Sequence, residues 1–334
     1  MPLLLICVLL LSACGESKDS SNDPSSLLSD HSKQYRKGEA EVDYIIPEDP
    51  RSVLTESIKE YVASRENPEP MDDEQAQDVV EKAEEDDILD TSDQNEIGSD
   101  DDLQKILAWM MDETKTVASV KFVNGYTFDS DHYEKILDRA MRADPIDGIC
   151  VKYFGRSSDI LTLEYSIPTS TLIQMKKDTR ELVKQALKDL NLSGHSEIEI
   201  VQTVNDYLCD HNTYPDEDLE KYPGWFEGYA PEAHTIYGLF KLHSAVCDGY
   251  ARSCKVLLDE LGIECIIITG KGNGGNHAWN MIKINSAWYH MDVCWNDNSW
   301  TRQDYLLISD KDIASSHTWD QTEYPASASQ SYTF

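Results

Sequence analysis

Positive charge is what this sequence has least of. Against 62 acidic residues it carries 29 lysines and arginines, a formal net charge of -33. A deficit of that size argues against binding nucleic acid or anionic lipid headgroups through a basic surface. Closely paired cysteines are missing too. The eight cysteines include no CxxC pair, which argues against a structural zinc site and a dithiol redox motif. A calcium loop is absent: the DxDxDG order with a late glutamate occurs nowhere, including around Asp129-Ser130-Asp131. The apolar run Leu3 to Leu11 is too short to span a bilayer, which takes ~20 residues.

What is present divides unevenly along the chain. Residues 1–14 read as a secretory segment. It closes on Leu11-Ser12-Ala13-Cys14, which resembles a bacterial lipobox with Cys14 as the lipidated residue, although no lysine or arginine precedes the apolar run. Residues 15–102 read as a disordered acidic tether: Ser/Asp/Lys-rich at first, with a short helix expected within Tyr44 to Ser64, then strongly acidic from Glu66. Residues 103–195 read as a small α+β accessory domain. Its expected elements are a helix at Leu103 to Met111, strand and turn over Val117 to Phe128, and a helix at Asp131 to Ala143. A hairpin of Gly148 to Phe154 with Ile160 to Ile167 and a long helix from Thr169 to Leu190 follow. Residues 196–334 read as a second domain, opening with a helix at Ser196 to Cys209.

The chemistry gathers between Ala245 and Asn296. From Cys247 the apolar residues Tyr250, Ala251, Cys254, Leu257, Leu258 and Leu261 recur at helical spacing, with Asp248 in the first turn and Gly262 at the end. Cys247 therefore stands at a helix N-terminus, where unpaired N–H groups and the helix dipole favour a thiolate. Gly249 removes a side chain near the sulfur, as if to admit a substrate backbone.

Glu264 to Thr269 reads as a buried strand, Gly270 to Gly275 as a glycine-rich loop, and His277 to Ile284 with Ala287 to Trp295 as a hairpin turning at Asn285-Ser286. A two-residue turn sets Ile284 opposite Ala287. Counting outward, Asp292 faces Trp279 and Cys294 faces His277, so His277 and Asp292 share a face as diagonal neighbours. Pairs of that kind lie roughly 7–8 Å apart at the backbone, within reach of polar side chains. Cys150, Cys209, Cys254, Cys265 and Cys294 sit in periodic segments and read as small buried hydrophobes. His211, His234, His243 and His290 read as structural. Trp225, Phe226 and Tyr229 either line a cleft or cover the edge of the core.

These residues carry a resemblance. Val246-Cys247-Asp248-Gly249-Tyr250-Ala251, Leu261-Gly262-Ile263, His277-Ala278-Trp279-Asn280 and Trp288-Tyr289-His290-Met291-Asp292-Val293-Cys294-Trp295 together resemble the transglutaminase-like superfamily. The resemblance reaches back to Asp206-Tyr207-Leu208 and Asn212-Thr213-Tyr214. It runs on to Tyr305-Leu306-Leu307 and to the tail around His317 and Trp319. It implies a papain-like α+β core, with the nucleophile's helix packed on an antiparallel sheet, and a Cys-His-Asp triad. Cys247 would be the nucleophile, His277 the base and Asp292 the orienter, with the Cys247 backbone N–H at the oxyanion. Cys294 stands where a small residue such as threonine is expected.

The function expected is a surface-anchored cysteine acyl-transfer enzyme acting on protein or peptide amides through a thioester, as a peptidase, an amidase or a glutamine crosslinker. The alternative is a non-catalytic cell-surface binding module that keeps the fold. The expected partner is a protein or peptide substrate, cell-wall peptide among the candidates, met by a monomer that touches the membrane only through a lipid on Cys14. No nucleic acid, cofactor or metal is expected.

Overall fold

The computed structural model describes residues 7–8, 95–157, 159–215, 231–297, 299 and 301–334. The expected signal and lipidation site at Cys14, the helix within Tyr44 to Ser64 and the aromatics Trp225, Phe226 and Tyr229 lie outside these residues, apart from the short strand β1 (Cys7–Val8).

Two five-stranded sheets organise the rest. The first takes its strands from β1, β2 (Asn95–Ile97), β3 (Val117–Phe122), β4 (Val151–Ser157) and β5 (Ile160–Tyr165), in the order β1-β4-β5-β3-β2. β2 runs parallel to β3 and the other pairings are antiparallel. Helices α1 (Asp100–Asp112) and α2 (Ser130–Ala143) contribute Leu103, Leu107, Ile136 and Leu137 to the same buried cluster as Leu161 and Leu163 of β5. Ser99 caps α1 through its side chain, so ordered structure starts inside the stretch read as tether. The acidic first turn Asp100, Asp101 and Asp102 looks like spacer in composition, yet it suits the positive end of a helix dipole.

The long helix α3 (Thr169–Asp189) crosses from one interior to the other. Leu172 and Met175 lie in the first cluster, and Val183 and Ala186 in the second. The boundary expected at residue 195 therefore falls beyond a helix that serves both cores. α4 (Glu197–Asp210) opens with a capping box between Ser196 and Glu199 and buries Val201, Val204 and Leu208.

After a 3-10 turn (Pro231–His234) and a π turn (Gly238–Leu242) comes α5 (Cys247–Glu260), packed against a fully antiparallel sheet of order β10-β6-β7-β8-β9. Its strands are β6 (Cys265–Gly272), β7 (Gly275–Ile284), β8 (Ala287–Met291), β9 (Leu306–Ile308) and β10 (His317–Thr318). Ala278, Ile282 and Ile284 of β7 join the cluster that holds α5, while Trp279 and Met281 join another with Ile313. The Asn280 side chain donates to the Ala251 carbonyl at 2.9 Å, tying β7 to the second turn of α5. Mixed helices and antiparallel sheet are thus the observed class, as expected.

Two details of the hairpin region differ from expectation. Gly270 to Gly275 is no open loop: β6 runs through Gly272, and a two-residue turn at Asn273 and Gly274, both at positive φ, leads straight into β7. The strand read as far as Trp295 stops at Met291, and α6 (Val293–Asp297) follows. Asp292 caps that helix, accepting the Trp295 N–H on Oδ1 at 3.1 Å, so Cys294 is buried in a helical turn and does not face His277 across a ladder.

Candidate active site

Cys247 is the first residue of α5 and is 7 % exposed. Val246 precedes it in extended conformation and supplies no side-chain cap. The first turn therefore keeps its positive end for the thiol or a developing anion. Gly249 does something other than admit a substrate. A Cβ there would sit 2.6 Å from the Ala245 Cβ and 2.9 Å from the Ala233 carbonyl oxygen. The chain's own 3-10 turn takes the space, held also by the Val246 N–H bonded to that Ala233 oxygen at 3.0 Å.

That turn brings His234 to Asp248, Nδ1 to Oδ2 at 2.7 Å. Burial works to raise the Asp248 carboxyl, but the hydrogen bond from His234 and the charges of His234, Arg252 and His277 hold it below the usual carboxylate range. His234, read as structural, thus stands beside the residue that follows Cys247. His277, on β7, lies within electrostatic reach of the residue that follows Cys247.

His277 is 6 % exposed and Asp292 1 %. The register runs unbroken from Ile284 opposite Ala287 to Asn280 opposite Met291. Asp292 follows directly, its N–H held by the Tyr305 carbonyl at 3.0 Å. The result is the same-face pair expected: His277 Nε2 lies 2.7 Å from Asp292 Oδ2. With Nε2–H donated to the carboxylate, Nδ1 is the nitrogen left for proton transfer. Trp279 and Trp295 flank the imidazole, ring centroids at 5.9 Å and 5.3 Å. Gly272, at the end of β6, must stay without a side chain, since a Cβ there would lie 2.8 Å from Trp295 and 3.1 Å from the His277 ring.

A residue that the reading of the sequence gave no role completes the group. His317 Nε2 lies 3.1 Å from the same Asp292 oxygen. Burial alone would raise the Asp292 carboxyl, yet the charge of His277 and the hydrogen bonds from His277 and His317 bring it down to about 2. His277, Asp292 and His317 offer ligand atoms within 4.8 Å of one another. A tetrahedral zinc with ligands at ~2.0–2.1 Å would space them roughly 3.3 Å apart. The observed 2.7 Å and 3.1 Å contacts are hydrogen-bond lengths, so the arrangement fits shared protons better than a metal. Cys150, Cys209, Cys254, Cys265 and Cys294 are also buried, and none of these five is in a disulfide.

Residues 184–293 match the family model described as the transglutaminase-like superfamily. This stretch belongs to that superfamily. The transglutaminase-like core so defined begins within α3 and ends just after Asp292, enclosing Cys247, His277 and Asp292 but not His317. No curated protein matches the chain. Among solved structures it is similar to one described as the crystal structure of a TGase, at 14% identity and a TM-score of 0.31. That match covers 53% of this chain and spans half, 50%, of the other.

Proposed function

We propose that the protein is a cysteine acyl-transfer enzyme acting on protein or peptide amides through a thioester on Cys247. The observation that carries this reading is the buried His277–Asp292 hydrogen bond at 2.7 Å, on a strand tied to the helix that Cys247 opens by the Asn280–Ala251 bond.

His277 takes the Cys247 proton on Nδ1, giving a thiolate and an imidazolium. Asp292 accepts Nε2–H, fixing the tautomer and stabilising the charged ring. The sulfur adds to the amide carbonyl carbon. The oxyanion meets the Cys247 backbone N–H and the positive end of α5. As the tetrahedral adduct collapses, the C–N bond breaks and His277 returns its proton to the leaving amine. Water or a second amine then attacks the thioester, His277 accepting the proton of the incoming nucleophile, and the thiol is regenerated. Water gives hydrolysis or deamidation; an amine gives a crosslink.

The Leu11-Ser12-Ala13-Cys14 sequence supports placing this chemistry at a membrane surface through a lipid on Cys14. Cell-wall peptide, met by a monomer, fits that placement.

Iodoacetamide tests the nucleophile. Cys247 should be alkylated faster than Cys254 or Cys265 at neutral pH; equal rates would reduce the domain to a retained fold that binds without chemistry. A labelled amine offered with a glutamine peptide then separates transfer, read as incorporation, from hydrolysis, read as released ammonia or cleaved peptide.

A further inference from the structure

We infer that His317 is a positioning residue of this site, acting through Asp292 on His277. The inference rests on the acyl-transfer reading above and adds a member to its machinery.

His317 reaches the site by a long route. β10 pairs antiparallel with β6, setting His317 opposite Gly272 and Thr318 opposite Lys271. This brings its ring to 5.3 Å, centroid to centroid, from that of His277. The side chain is 1 % exposed and walled by Trp295, Trp279 and Tyr305, with centroids at 4.3 Å, 4.8 Å and 5.7 Å. An imidazole buried this deeply is costly unless its nitrogens find partners. Both do. Nδ1 lies 2.9 Å from the Ser316 hydroxyl, and Nε2 lies 3.1 Å from Asp292 Oδ2. The carboxylate only accepts, so Nε2 carries the proton.

The choice of oxygen is the telling point. A histidine that merely filled space would be satisfied by a backbone carbonyl. This one bonds to the oxygen that already holds His277 at 2.7 Å, while the other oxygen, Oδ1, is fixed by the Trp295 N–H. Two consequences follow. The carboxylate has no freedom to swing, so Oδ2 stays aimed at His277. Its charge is also divided between two N–H donors, which weakens its hold on the His277 proton. A carboxylate facing His277 alone would hold the imidazolium more tightly and make it a poorer acid for the leaving amine. The other titratable groups around the pair are Asp248 with His234 on the α5 side, and Tyr305 and His290 on the far side. Tyr305 is raised by burial and by the Asp292 charge against a hydrogen bond with Ser316; His290 is lowered by burial, which outweighs the opposing hydrogen bond and charge of Asp310, 2.7 Å from its Nε2.

The test follows Cys247 alkylation by iodoacetamide against pH in the full chain, read by peptide mass spectrometry. In wild type the rate should change in two steps, as the thiolate–imidazolium pair forms and as the imidazolium loses its proton. His317→Leu should move the upper step to higher pH by roughly tenfold in proton concentration, the lower range for one hydrogen bond to a charged group. His317→Gln, whose amide reaches the same oxygen as a donor, should restore the wild-type position. His317→Asn, too short to reach, replaces the leucine variant should that one fail to fold, and should shift the step likewise. An unshifted upper step in the Leu or Asn variant, with or without a lower melting temperature, overturns the inference; so does a Gln variant that behaves like Leu. His277→Gln is the control. If it leaves the wild-type profile unchanged, the thiol–imidazole couple itself is overturned, and the positioning role falls with it.

Discussion

Asp292 combines two jobs in one carboxylate: Oδ1 caps α6 and Oδ2 holds two imidazoles. Its folded pKa of about 2 lies below the ordinary value of ~3.9. The stability it contributes is therefore present above pH ~4 and is lost as pH falls through about 2. Asp292→Asn should lower stability at pH 6 by about 2 kcal/mol, with the difference from wild type shrinking in acid, measured as melting temperature against pH. The same variant should slow Cys247 alkylation at neutral pH by roughly tenfold or more, since an amide no longer fixes the His277 tautomer. Glu232 shows the opposite sign. It is 2 % exposed, and no hydrogen-bond partner meets its Oε2. Burial raises its carboxyl from the usual 4.5 to about 7, so its relative stabilisation is complete below pH 4.5 and is lost as pH rises through about 7. Glu232→Gln should leave stability at pH 4 little changed and raise it at pH 8, by up to about 3 kcal/mol; equal effects at the two pH values would sink this account.

The β6–β7–β8 meander shows what the sequence made legible and what it hid. The turn Asn285-Ser286 adopts positive φ at both positions, 49° and 68°. The register counted from it held as far as Met291, which is why the His277–Asp292 pair was readable. Beyond that point alternation misled: Val293 to Trp295 alternates like a strand, but the Asp292 side chain caps a helical turn instead. The Gly270 to Gly275 stretch looked like a loop because glycines are usually loop residues. Here Gly272 lies in β6 because Trp295 and His277 occupy the space its Cβ would need. Gly272→Ala should thus push His277 off Asp292 and slow Cys247 alkylation by roughly tenfold or more, since small displacements of reacting groups are costly. A variant that alkylates at the wild-type rate would show that the ring has room to move. His317 was illegible for another reason. Its place depends on β10 finding β6, a distant pairing that no local period announces, and the nearby Trp319 gave a resemblance without a role.

At the scale of the molecule, the two sheets are joined by more than chain. Arg142 of α2 donates to the Ile267 carbonyl in β6 at 3.0 Å, and the buried Arg252 of α5 donates to the Met141 carbonyl at the end of α2 at 3.1 Å. Arg139 also pairs with Glu323 near the C-terminus. With α3 buried in both interiors, these bonds predict a single unfolding transition. Hydrogen exchange followed by mass spectrometry should show α2 and β7 losing protection together; separate losses would mean that the sheets unfold independently. The same helix decides where the chain tolerates scissors. A fragment begun at residue 196 would leave behind Val183, Ala186 and Leu190, stripping a greasy strip of its lid, and should come out of cells as sticky aggregate. One begun ahead of α3 carries that lid with it, although its own Leu172 and Met175 would then be the ones left bare.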